Sequence, residues 1–287
     1  MKNLIKLRYS SLFKNLSICL PLLVNKEIKL SLDVIIIFFT GFFIFSIISL
    51  LVYVLNDSKD YYQDKKNKLK EKKKLIFLSK NTYLILNILL LIYIALIATT
   101  DFFGYSLLIY CITFIIYNNF LKNKKYFDIA CLVVFHMLRL TYGAELFNVS
   151  LTFYFSIFFI LFFLFLSVCK RIIQIKINNL KPNNNIICYS KIDLASLNNL
   201  AKISSLISIL FFFLYLYSSI YKNIYWLDLI FLLLILFIYI KFIYEIIFLL
   251  KHNLLRKDLY IYIISNQKIL LLAFITLIIL VLRIIYI

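Results

Sequence analysis

Long runs of apolar residues without any charge constrain this chain more than any other feature. Residues 34–55, 83–99, 150–169 and 209–216 contain no Asp, Glu, Lys or Arg, and a membrane-spanning helix needs ~20 predominantly apolar residues. Hydrophobic residues make up 64% of the 287 positions, whereas soluble proteins have about 45–50%. A membrane β-barrel would need many turn residues, but the chain has 3 glycines and 2 prolines. The sequence therefore predicts an all-α polytopic membrane protein.

About nine membrane-spanning helices are predicted, and residues 1–287 are treated as a single integral membrane domain. The first span is short and contains Pro21. The spans are predicted at Leu12–Val24, Ser31–Leu55, Asn81–Thr99, Phe103–Asn119, Asp128–Phe147, Leu151–Cys169, Leu200–Tyr221, Trp226–Leu250 and Gln267–Ile287. The segment between residues 170 and 200 is then the longest polar connection.

The distribution of basic residues predicts the orientation of these spans. Of the 32 Lys and Arg residues, 26 are assigned to the side of the N-terminus, whereas the opposite loops contain Lys26, Lys29 and Lys222. Arg139, Lys241 and Arg283 lie within spans. Because Lys and Arg accumulate in cytoplasmic loops, we expect a cytoplasmic N-terminus and a C-terminus outside. The formal net charge of +19 then serves topology and the binding of anionic lipids or phosphates, and no nucleic acid partner is predicted.

An acidic motif follows the second predicted span directly. Asn56, Asp60 and Asp64 are spaced by four residues, so they share one face of a helix, and Asp57 borders that face. Crowded carboxylates repel one another, and a bound cation removes that repulsion. Carboxylates beside lysines therefore favour Mg²⁺ that holds a phosphorylated substrate. The alternative is a solvated helix end in which the aspartates pair with lysines of the segment 59–74.

Several further motifs occur in a fixed order along the chain. They are Leu7-Arg8, Lys14-Asn15 and Pro21-Leu22-Leu23 (LRxxxxxKNxxxxxPLL), Tyr117, Leu121-Lys122 and Asp128 (YxxxLKxxxxxD), Arg139 and Gly143-Ala144 (RxxxGA), the pair Lys170-Arg171, and Tyr189. Together with the acidic motif, this order resembles the UbiA prenyltransferase superfamily. The branch it resembles most is the one typified by decaprenyl-phosphate phosphoribosyltransferase.

The resemblance implies a UbiA-like helical bundle in the bacterial inner membrane, with a cytoplasmic active site that serves cell envelope biosynthesis. It implies transfer of 5-phosphoribosyl from phosphoribosyl diphosphate to a polyprenyl phosphate, with release of pyrophosphate. Catalysis and Mg²⁺ binding fall to Asp57, Asp60 and Asp64. Substrate binding falls to Lys14, Asn15, Asn56, Lys70, Lys122, Arg139, Lys170, Arg171 and Tyr189. For Arg139, a phosphate contact is favoured over pairing with Glu145. The oligomeric state is left open.

The residues after the sixth span separate this interpretation from two others. Aromatic prenyltransferases of the superfamily carry a second acidic motif there, but this chain has no carboxylate between Glu145 and Asp193 and offers Lys170, Arg171 and Lys176 instead. Prenyl transfer from a polyprenyl diphosphate to an aromatic acceptor is therefore the second hypothesis. The third is a non-catalytic lipid-binding or transport protein, because residues 67–74 lack the HPxKRxRP sequence usual in the branch.

Overall fold

The computed structural model describes residues 13–24, 31–59, 105–179, 188–220 and 226–251, with isolated helical residues at 82, 85, 86, 88, 92, 271 and 275. Every regular element within these ranges is helical, which confirms the all-α prediction for this part of the chain. The elements are a 3₁₀ segment (Phe13–Cys19), α1 (Leu20–Val24), α2 (Leu32–Lys59), α3 (Tyr105–Ile116), a π turn (Tyr117–Leu121), α4 (Phe127–Leu146), α5 (Phe153–Asn179), α6 (Asp193–Ile220) and α7 (Trp226–Lys251).

The helices fit an integral membrane protein by length and composition. Among the described residues, 5 helices are long and apolar enough to cross a membrane: Leu32–Lys59, Phe127–Leu146, Phe153–Lys176, Asp193–Ser218 and Leu233–Lys251. The apolar stretch Tyr105–Leu121 is shorter. Apart from the isolated residues, the predicted spans Asn81–Thr99 and Gln267–Ile287 lie outside the described ranges. The total of about nine spans therefore stays a prediction.

The first predicted span is not one continuous α-helix. A 3₁₀ segment covers Phe13–Cys19, and only the five residues Leu20–Val24 are α-helical. Pro21 is the second residue of α1, where its missing N–H is not needed. In a longer α-helix its ring would clash with the carbonyl of the residue four positions earlier. The prediction of a single α-helix over Leu12–Val24 was therefore wrong in its backbone geometry.

The polar connection after the sixth predicted span is shorter than predicted. α5 extends to Asn179, and α6 begins at Asp193, whereas the sequence predicted helix only from Leu200. The carboxylate of Asp193 accepts hydrogen bonds from the backbone N–H of Ser190 at 2.7 Å and from its hydroxyl at 2.9 Å. A polar pair spaced by three residues is a helix-start signal, so the Ser- and Asn-rich stretch after it is helical and not a loop.

The described helices divide into two compact units. The first contains the 3₁₀ segment, the first three residues of α1, and α2, α3 and α4. Its core is aromatic: the ring of Phe45 lies 4.8 Å from that of Tyr110 and 5.2 Å from that of Tyr142, between centroids. Gly143 on α4 lies against the 3₁₀ segment, where a Cβ would clash with the backbone carbonyl of Ile18. This close approach brings the 3₁₀ segment onto α4.

The second unit contains α5, α6 and α7. Phe158 of α5 packs against Phe212 of α6, with ring centroids 4.7 Å apart, and against Tyr239 of α7 at 5.3 Å. The hydroxyls of Tyr239 and Ser208 are 2.7 Å apart, so the one polar atom of that ring is hydrogen-bonded. Aromatic packing thus joins all three helices of this unit. The single-domain assignment for the whole chain stays a prediction.

Candidate functional site

A polar stripe runs along one face of α2. Ser46, Ser49, Tyr53 and Asn56 follow one another at intervals of three or four residues, which places them on one side of the helix. Ser46 and Ser49 are buried, and Tyr53 and Asn56 are half-buried. The stripe lies in a helix whose remaining residues are mostly Ile, Leu, Phe and Val. Among the described residues, four predicted site residues from other segments contact it: Lys14, Asn15, Lys122 and Arg139.

Asn15 of the 3₁₀ segment binds the first part of the stripe. Its side chain is fully buried, and its Nδ2 donates to Oγ of Ser46 at 3.2 Å and to Oγ of Ser49 at 2.9 Å. Its Oδ1 accepts a hydrogen bond of 3.0 Å from Nε of Arg139. A buried amide without partners would be costly, so this network fixes the side chain of Asn15 between α2 and α4.

Arg139 of α4 is held by hydrogen bonds and aromatic rings. Only 3% of its surface is exposed. One terminal nitrogen donates to the carbonyl of Phe135 at 2.8 Å, and the other donates to the hydroxyls of Tyr53 and Tyr110 at 3.3 and 3.2 Å. Its guanidinium carbon lies 5.3 Å from the ring centroid of Tyr110 and 5.8 Å from that of Phe45. The guanidinium therefore has a fixed orientation inside the first unit.

The alternative partner of Arg139, Glu145, makes contacts elsewhere. The carboxylate of Glu145 accepts hydrogen bonds from the hydroxyl of Ser106 and from its backbone N–H at 3.2 and 3.3 Å. Ser106 is the second residue of α3, where backbone N–H groups lack partners within the helix. Glu145 thus caps α3 from a neighbouring helix, which is a structural role.

Lys14 reaches the middle of the stripe. Its Nζ lies 5.9 Å from the ring centroid of Tyr53, a distance at which an ammonium is attracted to an aromatic face. Tyr53 therefore contacts two predicted phosphate ligands, Lys14 through its ring and Arg139 through its hydroxyl.

The C-terminal turn of α2 carries the start of the acidic motif. Asn56 and Asp57 are both half-buried there, and α2 continues to Lys59, past the boundary predicted at Leu55. Nζ of Lys122 donates to Oδ1 of Asn56 at 2.9 Å, so a lysine from a segment 66 residues away lies beside the motif. The other predicted residues of this region, Asp60, Asp64 and Lys70, lie outside the described residues.

The donor atoms at this turn are of the type that Mg²⁺ prefers. Asp57 supplies a carboxylate and Asn56 an amide oxygen, and Mg²⁺ binds carboxylates together with water and substrate phosphates. Within the described ranges no group of three or more His, Cys, Asp or Glu side chains forms a metal site. The predicted Mg²⁺ ligands also include Asp60 and Asp64, which lie outside the described residues. Asp57, the predicted ligand that is described, has the donor type that Mg²⁺ prefers.

The predicted site residues of the second unit lie on α5 and just before α6. Lys170 and Arg171 are half-buried, and a terminal nitrogen of Arg171 donates to Oε1 of Gln174 one turn later. Tyr189 is 6% exposed. Nζ of Lys176 donates to the carbonyl of Leu250, which ties α5 to the end of α7.

Sequence reasoning did not single out Ser46, Ser49, Tyr53 or Tyr110, although all of them contact predicted residues. A usable signal was present, because the polar residues of α2 are spaced so that they share one face of a helix.

Comparison with known proteins finds no relative of this chain: no family model matches it, and no curated protein matches it.

Proposed function

We propose that this chain is a membrane transferase of the UbiA prenyltransferase superfamily. It transfers a 5-phosphoribosyl group from phosphoribosyl diphosphate to a polyprenyl phosphate and releases pyrophosphate. One observation carries the proposal: lysines from two other segments lie against the C-terminal half of α2, which itself contains Asn56 and Asp57. Lys14 lies over the ring of Tyr53, and Lys122 donates to Asn56.

The charges of this group suit a diphosphate. Lys14 and Lys122 are half-buried, and ion pairs at partly buried positions are screened less by salt than exposed ones. Hydrogen bonds from ammonium groups to phosphate oxygens are also stronger than neutral ones. Asp57, with Asp60 and Asp64 beyond it in sequence and Asn56 nearby, would hold Mg²⁺ on the same diphosphate. Bound Mg²⁺ supplies positive charge that stabilises the leaving pyrophosphate.

The proposed reaction needs positioning more than acid–base chemistry. An oxygen of the lipid phosphate forms a bond to the anomeric carbon, and the bond from that carbon to the diphosphate oxygen breaks. The electron pair leaves with pyrophosphate, and the nucleophile is already ionised, so the chain does not have to supply a general base. Cations aimed at the leaving group stabilise the charge that develops. Substrate binding by Lys170, Arg171 and Tyr189 of the second unit stays a prediction from the sequence.

The test is a transfer assay in membranes that contain the full chain. Radiolabelled phosphoribosyl diphosphate, a polyprenyl phosphate and Mg²⁺ are supplied, and labelled lipid is measured. Asp57→Asn is the test variant and Asp33→Asn the matched control, because Asp33 is an exposed aspartate at the other end of the same helix. We expect product with the parent and with Asp33→Asn, and its loss with Asp57→Asn or with EDTA.

Three outcomes would contradict the proposal. Transfer that is unaffected by Asp57→Asn and by EDTA would remove the acidic motif from the chemistry. Absence of lipid product, together with prenyl transfer when the same membranes receive a polyprenyl diphosphate and an aromatic acid, would establish the second hypothesis. Silence in both assays would favour a non-catalytic lipid-binding protein.

A further inference from the structure

A π turn ends α3 just before Lys122, and residues 122–126 form a turn before α4 begins. The backbone N–H of Lys122 donates at 3.0 Å to the carbonyl of Tyr117, five residues earlier, whereas an α-helix would pair it with Asn118, four residues earlier. π-helical segments are rare, and π turns occur at the C-termini of helices. Lys122 is the C-cap of the turn and keeps helical backbone angles. At 3.6 residues per turn, one extra residue before it rotates its side chain by about 100° around the helix axis.

The π turn makes contacts with the C-terminal turn of α2 in both directions. Nζ of Lys122 donates to Oδ1 of Asn56. Nζ of Lys59 donates to the carbonyl of Asn118 and, at 2.9 Å, to Oδ1 of Asn119. The carbonyl that Lys59 binds is the one that the N–H of Lys122 would bind in an α-helix. The π turn therefore directs Lys122 toward Asn56, and it leaves the carbonyl of Asn118 as an acceptor for Lys59.

The turn itself is anchored to α4. The hydroxyl of Tyr117 donates to Oδ1 of Asp128 at 3.0 Å, and Asp128, in the first turn of α4, is 1% exposed. The ring of Tyr117 also meets that of Phe135 edge-on, with centroids 5.5 Å apart. Both contacts fix the first residue of the π turn, so the rotation it imposes on Lys122 is defined relative to α4.

We propose that the π turn Tyr117–Leu121 is a positioning element for the site at the end of α2. It directs the ammonium of Lys122 to Asn56, and it holds the last turn of α2 through Lys59. Lys122 then presents its ammonium, and Asp57 its carboxylate, in one orientation to a metal-bound diphosphate. Lys59, Asn118 and Asn119 are positioning residues in this scheme, and the consequence for substrate binding rests on the proposed function.

Deleting Phe120 tests the inference with little other change. Phe120 lies in the π turn and is 68% exposed, so loss of its side chain removes little packing. The deletion removes the extra residue and returns Lys122 to the α-helical phase. Phe120→Ala is the matched control, because it removes the same side chain and keeps the register.

The first measurement is a double-mutant cycle on the Tm of the purified full chain in detergent. Asn56→Ala and Lys122→Met are combined in the parent, in Phe120→Ala and in the deletion variant. We expect Tm changes that are not additive in the first two backgrounds and additive in the deletion, because the two side chains no longer meet. Coupling that persists in the deletion would overturn the inference.

The second measurement is the KM for phosphoribosyl diphosphate. The deletion should raise it by about tenfold, the effect of losing one hydrogen bond to a charged group, and Phe120→Ala should leave it within about twofold of the parent. An unchanged KM in the deletion would overturn the positioning role. If neither the parent nor any variant transfers phosphoribosyl, the proposed function fails. The double-mutant cycle on Tm then still decides whether the π turn positions Lys122.

Should the deletion not fold, Lys59 provides an independent test of the anchor. Lys59→Met and Asn119→Ala should show non-additive Tm changes, whereas Lys202→Met, at an exposed lysine of α6, should be additive with Asn119→Ala. Additive behaviour of Lys59→Met with Asn119→Ala would overturn the proposal.

Discussion

Nε of Arg139 donates a 3.0 Å hydrogen bond to Oδ1 of Asn15, although the two residues are 124 positions apart in the sequence. Both side chains are buried. The bond joins the 3₁₀ segment to α4, and the amide group of Asn15 joins the same segment to α2. These two residues therefore contribute to the scaffold of the first unit, whatever contact Arg139 makes with a substrate.

Replacing Asn15 tests this scaffold role. Asn15→Ala removes an acceptor from Arg139 and a donor from Ser46 and Ser49, and polar groups left unpaired in a buried place cost about 1–3 kcal/mol each. We expect the free energy of unfolding to fall by about 2 kcal/mol or more, measured by thermal unfolding in detergent. Asn199→Ala, at an exposed position of α6, is the control and should change it by less than about 0.5 kcal/mol. Equal effects of the two substitutions would contradict the scaffold role.

The two described glycines with close neighbours should respond differently to the same substitution. A Cβ on Gly143 would clash with the backbone carbonyl of Ile18, whereas a Cβ on Gly41 would clash with the side chain of Leu146. A leucine side chain can rotate away, but a backbone carbonyl moves only with the 3₁₀ segment. Gly143→Ala should therefore lower stability by about 1–3 kcal/mol.

The control for Gly143→Ala is Gly41→Ala, which should be close to neutral because alanine gains about 1 kcal/mol of helix propensity over glycine. Both are read as shifts in Tm. A larger loss of Tm for Gly41→Ala than for Gly143→Ala would contradict this prediction. It would show that the contact between α4 and the 3₁₀ segment tolerates a methyl group.

Tyr53 allows the ring and the hydroxyl to be separated. Tyr53→Phe keeps the ring beneath Lys14 and removes the hydroxyl that accepts from Arg139, whereas Tyr53→Leu removes both. We expect Tyr53→Phe to reduce stability by about 1 kcal/mol and to leave the KM for phosphoribosyl diphosphate nearly unchanged. Tyr53→Leu should raise that KM in addition, because Lys14 loses its aromatic support. A KM effect that is equal in the two variants would assign it to the hydroxyl and not to the ring.

The apolar runs and their spacing predicted the helical class and most of the described helices. They did not predict the irregular segments, for a physical reason. Hydropathy reports which residues face an apolar environment, and it is insensitive to whether the backbone bonds to the third, fourth or fifth residue. The 3₁₀ segment around Asn15 and the π turn before Lys122 are differences of that kind.

Contacts between distant segments were a second limit. Motif order selected Asn15, Arg139, Asn56 and Lys122 as site residues, and the structure brings each of them into contact with another. The residues between them, Tyr53 above all, belong to no motif and become visible only when α2 is placed against its neighbours.

Lys122 and Lys124 provide the sharpest comparison for the proposed site. Lys122 is half-buried and donates to Asn56, whereas Lys124 is exposed two residues later. Both carry the same charge into the same connection, so a general attraction to anionic substrate or lipid would make them equivalent. A specific contact would not, because Lys122→Met removes a charged donor beside the acidic motif, and such hydrogen bonds contribute about 1.5–3 kcal/mol.

We therefore expect Lys122→Met to raise the KM for phosphoribosyl diphosphate by about tenfold or more and Lys124→Met to change it by less than about twofold. The effect of Lys122→Met should persist at high salt, since a half-buried contact is screened less than an exposed one. If Lys122→Met and Lys124→Met raise the KM equally, and added salt abolishes both effects, the connection that contains these lysines acts through its total charge. The aspartates would then have to bind the diphosphate without a fixed lysine beside them.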